Sequence, residues 1–134
     1  MQLTDPAIRK RNRANKRKGY GWESETCRYF REMRFTWKRN GQRHGGADQG
    51  DIDTGRVPLA VQNKDVQRLS IWATAQDAQE QATNKGVSDW VILLKRRNMS
   101  TGDGLAVLPI WLYREMAVQF YAEYLDGHPP AASA

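Results

Sequence analysis

Apolar positions recur along this chain in distinct rhythms, and each rhythm predicts an element. From Trp22 to Met33 (WESETCRYFREM) neither Gly nor Pro intervenes, and Trp22, Thr26, Tyr29, Phe30 and Met33 fall at three- and four-residue spacings, one face of a first helix. Arg34 to Lys38 (RFTWK) alternates, with Phe35 and Trp37 on one side, so it predicts a half-buried strand. Leu69 to Asn84 predicts a second helix with Leu69, Trp72, Ala73 and Gln76 on one face, continued by Gln79, Glu80 and Thr83 and stopped by Lys85 and Gly86. Trp90 to Leu94 (WVILL) is a continuous apolar run of strand length, suited to the centre of a sheet. A shorter strand is expected over Leu105 to Leu108, and Pro109 opens a third, aromatic-rich helix over Ile110 to Leu125.

The stretch Gly50 to Lys64, GDIDTGRVPLAVQNK, carries the candidate chemistry. Two short strands around a turn at Gly55 would bring Asp51 beside Gln62 and Lys64. Residues two apart on a strand share a face, so Gln62 and Lys64 are expected to project together towards Asp51, with Asn63 turned away. A carboxylate, a side-chain oxygen and an ammonium gathered there suit a hard cation and a water beside a phosphate. The predicted order is helix, strand, strand, strand, helix, strand, strand, helix, a mixed α/β domain with a central sheet flanked by helices.

Charge changes the picture. Residues 1–20 carry Arg9, Lys10, Arg11, Arg13, Lys16, Arg17 and Lys18 against Asp5 alone, so they hold the whole net charge of +6. A dense segment of one sign with little to pack reads either as a solvated tail or as an arm that neutralises phosphates; the second reading predicts salt-sensitive nucleic-acid binding. The expected organisation is a flexible basic arm over 1–20, one folded domain over 21–126 and a disordered tail over 127–134. Lys95, Arg96 and Arg97 follow the apolar strand and would place charge at a sheet rim, either snorkelling to solvent or facing a polyanion. No apolar run approaches the roughly 20 residues that span a bilayer, the basic N-terminus has no apolar stretch behind it, and Cys27 is the single cysteine. These point to an intracellular protein without a membrane partner.

Other positions admit two readings. Glu23, in the first turn of the first helix, is either a surface partner of the helix dipole, as Glu25 would be, or a functional carboxylate. Arg39 to Gly50 (RNGQRHGGADQG) reads as a surface loop holding Arg43 and His44. Asp48 and Asp53, flanking Asp51, read as solvated carboxylates or as extra negative charge near a metal. Gln76, Gln79 and Gln81 are surface helix formers or amides that touch phosphates and bases. The aromatics of the third helix suit core or subunit interface.

KGYGWESE (Lys18 to Glu25), GDI (Gly50 to Ile52) and an apolar strand ending in VQNK (Val61 to Lys64), in that order, resemble the PD-(D/E)XK nuclease superfamily. Within it the likeness is closest to the Holliday junction resolvases of archaea and actinobacterial phages, and it covers roughly residues 17–97. The resemblance implies a restriction-endonuclease-like fold and a metal-dependent DNA endonuclease, with no small-molecule cofactor. It places the helix-one glutamate on Glu23, the family aspartate on Asp51, and the acidic-residue–any–Lys motif on Gln62, Asn63 and Lys64. Glu23, Asp51, Gln62 and the Asn63 carbonyl would hold Mg²⁺, Lys64 would orient the nucleophile or steady the phosphorus, and Gln81, with Gln76 as second choice, would hydrogen-bond at the site. Gln62 stands where the family usually has Glu, which removes a negative charge and favours Mn²⁺ as a substitute ion. The expected substrate is branched or double-stranded DNA, followed by the arm, Arg43 and the Lys95–Arg97 run, and the expected assembly is a homodimer. A repair or restriction nuclease of the same superfamily, and a relative that binds DNA without cutting, are the competing expectations.

Overall fold

The computed structural model describes residues 21–41 and 47–127. Helix α1 covers residues 21–31. Strands β1 (Lys38–Arg39), β2 (Ile52–Asp53) and β3 (Leu59–Lys64) follow, then α2 (Ile71–Lys85), β4 (Asp89–Leu94), a 3₁₀ turn at Thr101–Asp103, β5 (Leu105–Val107), α3 (Ile110–Phe120) and α4 (Ala122–Leu125). The chain is a mixed α/β protein. Its element order follows the hydrophobic rhythm, with the third helix broken into two at Tyr121.

β4 is the middle strand of a three-stranded sheet, parallel to β3 and antiparallel to β5. Its apolar continuity follows from having both faces covered. Val91 and Leu93 pack with Val61, Ile52, Trp22, Cys27 and Trp37 on the α1 side. Trp90 and Ile92 pack with Ala60, Ala78 and Ala82 on the α2 side. β1 and β2 form a separate antiparallel pair, Lys38 opposite Asp53 and Arg39 opposite Ile52.

The first expected strand is shorter and later than its alternation suggests. After α1 the chain turns through residues 32–34, with Arg34 at φ +75°, and extended pairing begins only at Lys38. Phe30 explains the shift: its ring stacks on Trp37 with centroids 3.9 Å apart and meets Phe35 edge-on at 5.4 Å. The Phe35 N–H also donates to the Phe30 carbonyl. The alternating segment thus folds back onto its own helix, and Met33 is left exposed.

The buried face of α2 also differs from the expected one. Thr74, Ala78, Gln81 and Ala82 are buried, whereas Trp72 is 85% exposed. Small side chains let the helix lie close to the sheet, where Trp90 supplies the bulk. The helix ends where expected: Gly86 at φ +79° donates to Thr83 O and Val87 to Ala82 O, closing the last turn in the manner a glycine allows. Among the described residues no helix is long and apolar enough to cross a membrane. The expected basic arm, Arg43, His44 and the tail beyond Gly127 lie outside the described residues.

Candidate active site

Gly50 and Asp51 bring the acidic motif onto the edge of β3. Gly50 has φ +102°, and a Cβ there would stand 2.8 Å from the Val61 carbonyl oxygen, so only glycine permits this approach. The Asp51 N–H donates to Val61 O at 2.8 Å, and the Asn63 N–H donates to Asp51 Oδ2 at 2.8 Å. Asn40 completes the hold, its N–H donating to Asp51 O and its Nδ2 to Gly50 O. Asp51 is therefore fixed at backbone and side chain alike.

The strand sorts its own residues by alternation. Asn63 faces α1, where its Nδ2 donates to Thr26 Oγ1 at 2.9 Å. Thr26 in turn donates to the Glu23 carbonyl. Gln62 turns to the opposite face and shares a cleft of about 470 Å³ with Asp48 and Gln81. The Asp51 carboxylate meets β3 at its edge, at the Asn63 backbone, within reach of the Lys64 charge. Backbone groups of one strand residue point to the same edge. Since the Lys64 carbonyl accepts from Lys95 N on the β4 side, the Asn63 carbonyl belongs to the Asp51 edge with its N–H.

Electrostatics tie these groups together. Burial pushes the Asp51 carboxyl above its usual range, the Asn63 hydrogen bond opposes this, the Asp48 charge adds to it and Lys64 pulls the other way. Glu23 is also raised, first by burial; Arg39, whose Nε donates to Glu23 Oε2 at 3.1 Å, counters it, and Asp51 adds repulsion. Glu23, Asp51 and Lys64 thus lie in one field around the end of β3. Lys95, expected at the rim, pairs with Glu25 at 3.5 Å beside the Trp22 ring, while Arg96 and Arg97 are exposed. Gln81 is buried on α2 and its Nε2 donates to Asp48 Oδ2; Gln76 is exposed.

Asp48 and Arg39 are the residues whose parts the sequence understated. Asp-Gln-Gly over Asp48–Gly50 is a local turn signal, and Asp48 Oδ1 does accept the Gly50 N–H at 2.9 Å. Its link to Gln81, 33 positions on, has no such signal.

The expected donors, two carboxylates, an amide oxygen and a backbone carbonyl, are all oxygen, the donor type a hard divalent cation takes. Gln62 Oε1 is buried without a hydrogen-bond partner among the described residues, a state that costs about 1–3 kcal/mol unless a ligand relieves it. Both carboxyls are raised, chiefly by burial and despite Arg39 beside Glu23 and Lys64 near Asp51. Among the described residues no three His, Cys, Asp or Glu side chains converge as a metal-binding group, so a cation here would depend on amide and carbonyl oxygens too. Compared with protein-family models, with curated proteins and with solved structures, the chain finds no match, and the functional reading rests on this geometry and on the motif order.

Proposed function

We propose that the protein is a metal-dependent, structure-selective DNA endonuclease of the PD-(D/E)XK type, acting as a homodimer on four-way junctions. The observation that carries the reading is the Asn63 N–H bond to Asp51 Oδ2, which pins the acidic motif to the strand bearing Gln62 and Lys64. The mixed sheet with α1 and α2 on opposite faces is compatible with a restriction-endonuclease-like core, the finer fold proposed here.

Glu23, Asp51, Gln62 Oε1 and the Asn63 carbonyl would hold Mg²⁺ or Mn²⁺. When bound, such an ion supplies positive charge at a phosphate oxygen and lowers the pKa of a water. Lys64, at the end of β3, would orient the attacking water or stabilise charge on the phosphorane. Thr26 and Asn63 keep α1 against β3 and so keep Glu23 near Asp51. Arg39 occupies one face of Glu23, which limits how many carboxylate oxygens remain for a cation. Exposed Arg96 and Arg97, with the basic segment 1–20, would follow phosphates and read shape rather than sequence. Two symmetric nicks across a junction need two sites related by a two-fold axis, hence the dimer.

The test is cleavage of a labelled four-way junction and a matched linear duplex, with Mg²⁺, Mn²⁺ or chelator, beside Asp51→Asn and Lys64→Ala. Paired nicks in the junction alone, lost in chelator and in both variants, are expected. Equal cutting of both substrates would leave a nuclease without junction selectivity. Salt-sensitive DNA binding with no cutting under either ion would leave a DNA-binding protein in which Gln62 marks a lost metal site.

A further inference from the structure

Gln62 and Gln81 line the cleft between β3 and α2, and each carries a buried side-chain oxygen, Oε1, without a hydrogen-bond partner among the described residues. Both residues are more than nine-tenths buried, at 6% and 5% exposure. The orientation of Gln81 is not arbitrary. Its Nε2 donates to Asp48 Oδ2 at 2.9 Å, and an ionised carboxylate only accepts, so the nitrogen must face Asp48 and the oxygen must face elsewhere. Asp48 is itself held, its Oδ1 accepting from Gly50 N and its carbonyl from Asn84 Nδ2. The charged residues lining the cleft are Asp48, Asp77 and Glu80, all carboxylates. Two unsatisfied oxygens and three negative charges call for a cation, not an anion or an apolar ligand.

We propose that Asp48 is a positioning residue that fixes the Gln81 amide so that its oxygen, with that of Gln62, serves as a ligand to the divalent cation of the active site. This rests on the metal-dependent reading above and extends it from β3 to α2. Asp48 works through Gln81 and through the Gly50 turn that delivers Asp51, so one carboxylate sets two parts of the site.

Mn²⁺ binding to the DNA-free protein, followed by electron paramagnetic resonance, tests this without any turnover. Asp48→Asn keeps an oxygen for the Gly50 N–H and sets an NH₂ against Gln81 Nε2. Donor then meets donor, the Gln81 amide turns over, and its NH₂ replaces its oxygen in the cleft. Mn²⁺ affinity should fall about 10-fold or more, the usual cost of losing a residue that orients a ligand. Gln81→Met, similar in size, should fall comparably, and the double variant should bind no worse than Gln81→Met alone, because both act through one amide. Glu80→Gln removes the same charge from the same cleft without touching that amide and should weaken binding less than about 3-fold, as expected of a partly solvated charge. Equal losses for Asp48→Asn and Glu80→Gln, or additive losses for Asp48→Asn and Gln81→Met, would overturn the positioning role while leaving the metal site intact. Absence of Mn²⁺ binding in the unaltered protein would overturn the metal-dependent reading and this inference together.

Discussion

Trp22 Nε1 donates to the Leu93 carbonyl at 2.9 Å, across 71 positions of sequence, and so ties the start of α1 to the central strand. The next residue is Glu23. The bond therefore sets where the helix-one carboxylate stands relative to Asp51, because Leu93 lies opposite Asn63 in the β3–β4 register. Trp22→Phe keeps most of the packing but removes the indole N–H bond to the Leu93 carbonyl. It should cost about 0.5–1.5 kcal/mol in urea unfolding, and its cleavage rate should fall with the binding of Mn²⁺ rather than of DNA.

Gly50→Ala tests the approach of the acidic motif to β3. The new methyl group would meet the Val61 carbonyl oxygen at 2.8 Å, and a non-glycine residue at φ +102° is strained besides. Val61 O is also the acceptor of the Asp51 N–H, so relief of the clash must disturb the motif itself. A loss of about 1–3 kcal/mol in stability is expected. Thermal melting checks the stability, and a junction-cleavage assay should show a loss of rate that lowering the temperature does not restore.

The raised carboxyls give a pH signature. Asp51 and Glu23 are held above their ordinary values of 3.8 and 4.5, chiefly by burial. An acid with a raised folded pKa binds its proton more tightly in the folded state. Its contribution is complete below the unfolded value and is lost as pH rises through the folded one. Ionised Asp51 therefore destabilises the metal-free protein at neutral pH. Asp51→Asn, which still offers an oxygen to the Asn63 N–H, should raise the metal-free Tm at pH 7 by about 2–5 °C. The gain should vanish below about pH 3, where Asp51 is largely protonated in both states, and should reverse when Mn²⁺ is added to both proteins. Calorimetry across pH with and without Mn²⁺ checks all three.

How much of this was legible in the sequence depended on how local each cause is. The WVILL run named the central strand because burial on both faces leaves no polar position to interrupt it. Gly50 and Asp51 could be set beside β3 from a turn and an apolar run alone. The face of α2 was misread because periodicity weighs Trp72 above Ala78 and Ala82, whereas a helix lying close to a sheet needs the alanines inward. The segment 34–38 was misread because its alternating aromatics pack back on Phe30, a partner the alternation does not reveal. Asp48 was understated because its partners Gln81 and Asn84 reach it only through the fold.

The aromatic surface of α3 and α4 bears on the assembly. Leu112 is the buried residue of α3, while Trp111, Tyr113, Phe120, Tyr121 and Tyr124 are exposed, Phe120 at 81%. Aromatic side chains bury about 150–250 Å² each when covered, so these rings leave on the order of 500 Å² open. Ile110, Met116, Val118 and Leu125 are exposed as well. Exposed apolar side chains in this number mark the two helices as candidates for burial against a partner. A second copy is the occupant the proposed two-fold activity requires. Phe120→Glu with Tyr124→Glu should shift the protein from dimer to monomer in sedimentation velocity. The monomer should still bind Mn²⁺, since the proposed metal ligands come from α1, the residue before β2, β3 and α2, and should nick a junction once rather than in symmetric pairs. A monomeric unaltered protein at micromolar concentration, or a variant that dimerises as before, would remove α3 and α4 from the interface.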